Sequence, residues 1–397
     1  GPFRAWDAIG VAGGVARMEA LGLEVPAWVR EMLAAGHQSF YRDGQVYSPL
    51  TRGYEPVPVD LEVVDLEARK AEGAEVAGNG SASLVDLGDG VLCFELHAPA
   101  SAIDAAVVEL GARAAKELEG GDWNGLVIAS QARNFCVGAN LGEVGMAAYQ
   151  GLYDQVGEAA KGLQDTLMSL RYAPRPVVAA PHGQTLGGGA EIVLAADRVV
   201  AALETYIGLV EVGVGIVPAG GGCKELLRRV VSPAMRAAPD APPLPFVQRV
   251  FETIGLAKVA TSAVEARELG FLEEHDVVIL DADHQLAAAR QEVLDLADAY
   301  QPPAREASIY AAGRPVLAAL ELAVQTLQWA GQAGPHDGVV ARQLARVLCG
   351  GELSLGQWVP EQHILDLERE AFLALLREPK TMERIQAFLT TGKVVRN

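Results

Sequence analysis

The sequence predicts an α/β fold built on a largely parallel sheet, with helical segments before and after it. Three observations lead there. Short apolar runs alternate with helix-period segments between Leu84 and Ala202, the pattern of βαβ crossovers. Two glycine-bearing loops follow directly on two of those runs. The chain has 397 residues, half of them hydrophobic, which suits two or three domains with sizeable cores.

Each element has its own signal. Residues 3–42 read as short helices, with Pro26 near a start and Gly36 and Gly44 as stops. So short a stretch makes a poor core alone. Residues 48–83 are rich in proline, acid and glycine and read as a connector carrying at most one strand or short helix. "SLVDLGDGVLCFEL" (83–96) is two strands around a Gly-Asp-Gly turn. Ile103, Ala106, Val107, Leu110, Ala114 and Leu118 then mark one buried helical face. "GLVIAS" (125–130), "PVVAAP" (176–181) and "DRVVAA" (197–202) are strands, and Met146 to Leu170 reads as one long helix. Beyond Val230 the text is helical except for a strand at 276–280, and Ile364, Leu367, Ala371, Phe372 and Leu375 form one apolar face of a terminal module.

Composition excludes several function classes. A formal charge of −19 argues against a general nucleic-acid binder, which needs a basic stripe to displace counterions from phosphates. No apolar run reaches the ~18 residues of a membrane span, and no basic-then-apolar leader pattern opens the chain. Cys93, Cys136, Cys223 and Cys349 are scattered without a C-x-x-C pair, which points to reduced thiols, gap-filling roles and a cytoplasmic setting. No metal-ligand spacing occurs; His182 reads as satisfying a backbone group. No complete G-x-G-x-x-G follows a strand, so no dinucleotide domain is read here.

The chemistry-bearing residues sit at strand ends. "NFCVGAN" follows one strand and "GQTLGGGAE" another, and both offer unencumbered backbone N–H groups that could converge on one oxygen as an oxyanion hole. Glu191 stands in the first turn of the helix that the glycines open, where the dipole favours its charge. Glu211 is a lone carboxylate in the apolar stretch "YIGLVEVGVGIVPAGGG". Two carboxylates beside a polarised carbonyl can share a water, one taking its proton and the other returning one. Spacing alone equally fits plainer roles for the glycines, as close helix–strand packing, and for Glu191, as an N-terminal charge, while a lone glutamate such as Glu211 is more often a solvated strand end.

Taken together, "RNFCVGANL", "PVVAAPHGQTLGGGAEIVLAADRVVA", "GLVEVGVGIVPAGGG" and "SAVEARELGFLEE" resemble the enoyl-CoA hydratase/isomerase (crotonase) superfamily over about residues 82–300. The resemblance implies a crotonase-like ββα spiral core. It also implies that the N–H groups of Val137 and Gly188 hold the thioester oxygen while Glu191 and Glu211 act as paired acid and base. Isomerases of the superfamily generally keep one such glutamate, so both together favour hydration. Asn140 stands where the family usually has aspartate, and Val210 where proline is common.

The flanks extend the resemblance to bacterial fused 3-hydroxyacyl-CoA dehydrogenase/enoyl-CoA hydratase proteins. "GPFRAWDAIGV" is similar to the second helical segment of the dehydrogenases, and "ARQLARVLCGGELS" onward to the C-terminal module of the fused proteins. The implied organisation is a dehydrogenase-like helical segment (1–47), a linker (48–83), the hydratase domain (84–300) and a helical module (301–397). The implied activity is reversible hydration of trans-2-enoyl-CoA in fatty-acid β-oxidation, with an acyl-CoA substrate and no cofactor for hydration. NAD belongs to an upstream dehydrogenase domain of a longer parent, which is the expected partner. Enoyl isomerisation through the same enolate and a non-catalytic assembly module are the competing readings. Arg133 is placed either at a CoA phosphate or in solvent. Chain-length preference, homo-oligomerisation and the assignment of acid against base stay open at this stage.

Overall fold

The computed structural model describes residues 2–56, 63–304 and 308–397. The chain divides into two compact units, residues 1–63 and 64–397.

In the first unit, helices Pro2–Ile9, Val11–Ala20 and Ala27–Ala34 precede three antiparallel strands, Tyr41–Arg42, Gln45–Ser48 and Gly53–Pro56. Val11, Val15, Val29, Met32, Phe40 and Tyr47 are its buried core. The Asp7 carboxylate accepts from the Phe40 and Tyr41 amides at 2.7 and 2.9 Å, tying the first helix to the first hairpin. The hairpin turns on Asp43-Gly44, both at positive φ, the geometry that matches strand twist.

The second unit is organised by a seven-stranded sheet. Its order is Val277–Ile279, Arg198–Ala202, Val177–Ala179, Gly125–Ala129, Val91–Leu96, Ala82–Asp86 and Glu75–Gly78. The first five strands are parallel and the last two antiparallel to their neighbours. Side chains alternate between two cores. Leu92, Phe94, Leu126 and Ile128 face helix Ala105–Glu119 and its Val107, Leu110, Ala114 and Leu118, and Val177 and Val199 lie in the same core. Val91, Cys93, Val127, Val178 and Val200 face helix Gln285–Ala297 through Leu286, Ala289 and Val293. Burial on both faces is why these strands read as continuous apolar runs.

The chain departs from the sequence expectation in three places. The long helix expected over 146–170 is two helices, Leu141–Tyr149 and Tyr153–Arg171, parted at Gly151 with φ +75°. The break lets the first half pack on the terminal helix Pro379–Thr391, with Gly145 close against Ile385, while the second half packs on Ala105–Glu119 and Glu361–Leu376. The expected connector 48–83 carries strands Gly53–Pro56 and Glu75–Gly78 and helix Leu66–Ala71, whose Leu66 is buried in the second core; its residues 57–62 lie outside the described residues. Short pairs were unforeseen: Gly183–Leu186 runs parallel to Thr205–Gly208, and Ser308–Ala311 antiparallel to Gln357–Pro360. Four residues in each are too few for a periodic signal. In the C-terminal region, Ile364, Leu367, Ala371, Phe372 and Leu375 are all buried against the main core. Among the described residues no helix is long and apolar enough to cross a membrane.

Candidate active site

Two loops at the ends of neighbouring strands are stitched together by backbone. The Cys136 amide donates to the Gln184 carbonyl (3.3 Å) and the Leu186 amide to the Cys136 carbonyl (2.9 Å), so "NFCVGAN" and "GQTLGGG" run side by side. A Cβ built on Gly189 would stand 2.2 Å from the Cys136 carbonyl oxygen, backbone that cannot yield. A Cβ on Gly138 would stand 3.2 Å from the Gly188 nitrogen, and Gly138 itself needs φ +99°. The glycines are therefore demanded by loop-on-loop approach as well as by the helix start. His182 Nε2 meets the Ala132 carbonyl at 2.9 Å and helps hold this crossing.

Gly187, at φ +54°, caps helix Gly188–Ala195, so the Gly188 N–H opens the first turn and has no intrahelical partner. Val137 is differently placed. Its N–H donates to the Ser101 carbonyl at 2.8 Å. Ser101 and Ala100 both occupy the left-handed region, φ 52° and 56°, a conformation costing on the order of 1–3 kcal/mol per non-glycine residue. In this structure the first expected donor is thus engaged by a strained turn, while the second lies in the buried first turn of a helix.

Glu191 is buried, and its Oε1 accepts from the amides of Gly220 and Gly222, each at 2.8 Å. Burial raises its pKa, and the Gly222 and Gly220 amides and the Lys224 charge offset that rise only in part. Glu211 begins the turn Glu211–Val214. The residue is half-buried as a whole, yet its Oε2 is shielded from solvent and has no hydrogen-bond partner. Burial and the negative field of Glu191 hold its carboxyl well above the usual carboxylate range. A Cβ on Gly187 would lie 3.1 Å from Glu211 Oε1, and one on Gly220 would lie 2.4 Å from Glu191 Oε2. Both carboxylates therefore border the glycine turns. Both carboxyls are shifted upward, Glu191's shift being offset in part by its amides and Lys224 and Glu211's reinforced by the Glu191 charge.

Around this pair, Cys136 and Cys223 are buried free thiols whose pKa values burial raises, inert as nucleophiles. Asn140 caps helix Leu141–Tyr149, its Oδ1 accepting from the Gly142 and Glu143 amides at 3.1 and 3.4 Å. Arg133 is exposed on the first loop. Sequence reading missed Glu368. It is fully buried on helix Glu361–Leu376, and its Oε1 accepts from the Lys224 amide at 2.8 Å. Burial and the Glu191 charge hold its carboxyl well above the usual range. The available signal was a glutamate between Leu367 and Ala371 on the apolar face.

Residues 86–239 match the enoyl-CoA hydratase/isomerase family. The chain is 40% identical over 404 aligned residues to a Bacillus subtilis protein named "Probable 3-hydroxyacyl-CoA dehydrogenase", covering all of this chain and 50% of that protein. It is 31% identical over 168 residues to the human mitochondrial methylglutaconyl-CoA hydratase, covering 42% of each. The chain thus spans half or less of the length of these relatives. Among solved structures, an enoyl-CoA hydratase/isomerase from Mycobacterium paratuberculosis aligns with TM-score 0.51 at 17% identity, covering 78% of this chain and 98% of that one. One from Xanthobacter autotrophicus Py2 aligns with TM-score 0.51 at 18% identity, covering 79% and 95%. These likenesses give the fold. With its paired loops and an α/β core that shares the fold of those solved structures, the chain is similar over residues 86–239 to the enoyl-CoA hydratase/isomerase family.

Proposed function

We propose that the chain hydrates trans-2-enoyl-CoA reversibly to 3-hydroxyacyl-CoA. The observation that carries this reading is the carboxyl pair: Glu191, whose Oε1 accepts from two amides beside Gly220, and Glu211, whose shielded Oε2 has no partner and whose Oε1 borders Gly187 at the start of helix Gly188–Ala195. The Gly188 N–H and the Val137 N–H hold the thioester oxygen as negative charge develops on it, each donor contributing about 2.7–4 kcal/mol in the transition state. For Val137 this means exchanging the Ser101 carbonyl for the thioester oxygen. Glu191, ionised, takes a proton from water as the water oxygen bonds to C3. Glu211, protonated, delivers its proton to C2, and proton exchange between the two restores the starting state.

In β-oxidation this step precedes oxidation of the 3-hydroxyacyl-CoA. The name of the Bacillus subtilis relative and its alignment over the whole of this chain support a parent protein in which an upstream part performs that NAD-dependent oxidation. The test is spectrophotometric. Purified chain should consume crotonyl-CoA, and Glu191→Gln and Glu211→Gln should each lower kcat by about 10²–10⁴-fold with KM little changed. Full turnover in both variants would refute the proposal.

A further inference from the structure

The segment Gly220–Lys224 is held from two sides. On one side Glu191 Oε1 takes the Gly220 and Gly222 amides; on the other Glu368 Oε1 takes the Lys224 amide. The buried Gln164 adds a second clasp. Its Nε2 donates to the Ala219 carbonyl at 2.8 Å and to the Leu365 carbonyl at 2.9 Å, and its Oε1 accepts from Arg369 at 2.8 Å. The Lys224 ammonium, itself buried, pairs with Glu225 and lies 3.8 Å from Glu361 at the start of the same C-terminal helix. Helix Glu361–Leu376 thus grips the stretch that supplies the amides for Glu191.

Glu368 is a costly way to fill its position. It has no solvent exposure, and its Oε2 has no partner. Its neighbours on that face, Ile364, Leu365, Leu367, Ala371 and Phe372, are apolar, and an apolar side chain there would avoid the desolvation cost of an unpaired carboxyl oxygen. What an apolar residue would not provide is an acceptor for the Lys224 amide, two residues from one of the amides that hold Glu191.

We propose that Glu368 is a positioning residue for Glu191, acting through the Gly220–Lys224 segment, so that the C-terminal helical region completes the active site. This rests on the hydratase reading for its kinetic consequence and on the hydrogen bonds alone for its structural one. Glu368→Met keeps side-chain volume and removes the acceptor; Glu368→Gln keeps an amide oxygen able to accept from Lys224. Glu368→Ala serves if methionine disturbs folding.

Steady-state hydration of crotonyl-CoA and amide hydrogen exchange across residues 219–224 are measured on the full chain, with Glu191→Gln in the same series. The expected result for Glu368→Met is a kcat at least tenfold lower, a KM within threefold and exchange at least tenfold faster in that segment, with glutamine restoring both to within threefold of wild type. Wild-type kcat with unchanged exchange in Glu368→Met, or glutamine as impaired as methionine, overturns the positioning role. A wild-type chain without turnover, or an unimpaired Glu191→Gln, sinks the hydratase reading instead, and exchange then decides the role of Glu368 by itself.

Discussion

Gly220→Ala tests the site most directly, because the added atom has a calculable destination. The new Cβ would stand 2.4 Å from Glu191 Oε2 and 2.9 Å from its Cδ, about 1 Å short of ordinary van der Waals contact. Leu163 Cδ2, at 3.0 Å, closes another side. Gly220 does not use the left-handed region, so alanine brings no backbone strain there and the tightest contact falls on the carboxylate. Moving that group by about 1 Å costs one of its two amide bonds, worth about 1.5–3 kcal/mol for a charged acceptor. A misplacement of that size costs roughly 10²-fold in rate, or about 2.7 kcal/mol at 1.36 kcal/mol per decade, so both routes agree. The assay is kcat and KM on crotonyl-CoA with melting temperature alongside. Gly80→Ala is the control, since nothing lies within 4 Å of its Cβ. The expectation is a kcat about 10²-fold lower for Gly220→Ala and within twofold for Gly80→Ala. Wild-type kcat in Gly220→Ala would refute the placement of the Glu191 carboxylate against this glycine.

Further expectations concern pH and stability. Glu211 has a folded pKa raised well above the ordinary glutamate value of 4.5 by burial and the Glu191 charge, so the native state binds its proton more tightly than the unfolded chain; its contribution is most favourable below about 4.5 and declines as pH rises toward the folded pKa. Glu211→Gln should therefore raise the melting temperature more at pH 8 than at pH 4, and a pH-independent change would contradict the burial of that carboxyl. Glu225 has the opposite sign. Arg228, Lys224 and Arg171 hold it well below the usual range, so the stability it contributes persists above about pH 4.5 and is lost only in stronger acid; Glu225→Gln should destabilise at pH 7 and less so as pH falls, checked by urea unfolding across that range. Asn140→Ala should cost about 0.5–2 kcal/mol through loss of its helix cap, while Asn140→Asp, which keeps the acceptor, should cost little in the same unfolding measurement.

Much of the site was legible because its residues obey local rules. Three glycines ahead of Glu191 announced a helix start under close approach, and the structure supplies the reason in the Cys136 carbonyl and the Glu211 carboxylate. Asn140, notable in sequence only as a departure from aspartate, turns out to be an amide-accepting cap, a role both residue types fill. The Ser101 carbonyl on the Val137 amide was not legible, because it depends on two non-glycine residues adopting positive φ, which their identities disfavour.

By itself the sequence determined the alternation of strands and helices, the fully buried character of the central strands, the glycine loops and the two glutamates. Each of these rests on interactions between residues near one another in the chain or on side-chain period. Only the tertiary structure decided that Glu191 would be held by two amides while Glu211 Oε2 would meet none, and that Glu368, 177 positions beyond Glu191, would grip the same segment from a helix of the C-terminal region. Those outcomes are set by desolvation and by which amides a carboxyl meets, and both are properties of packing that no local pattern encodes.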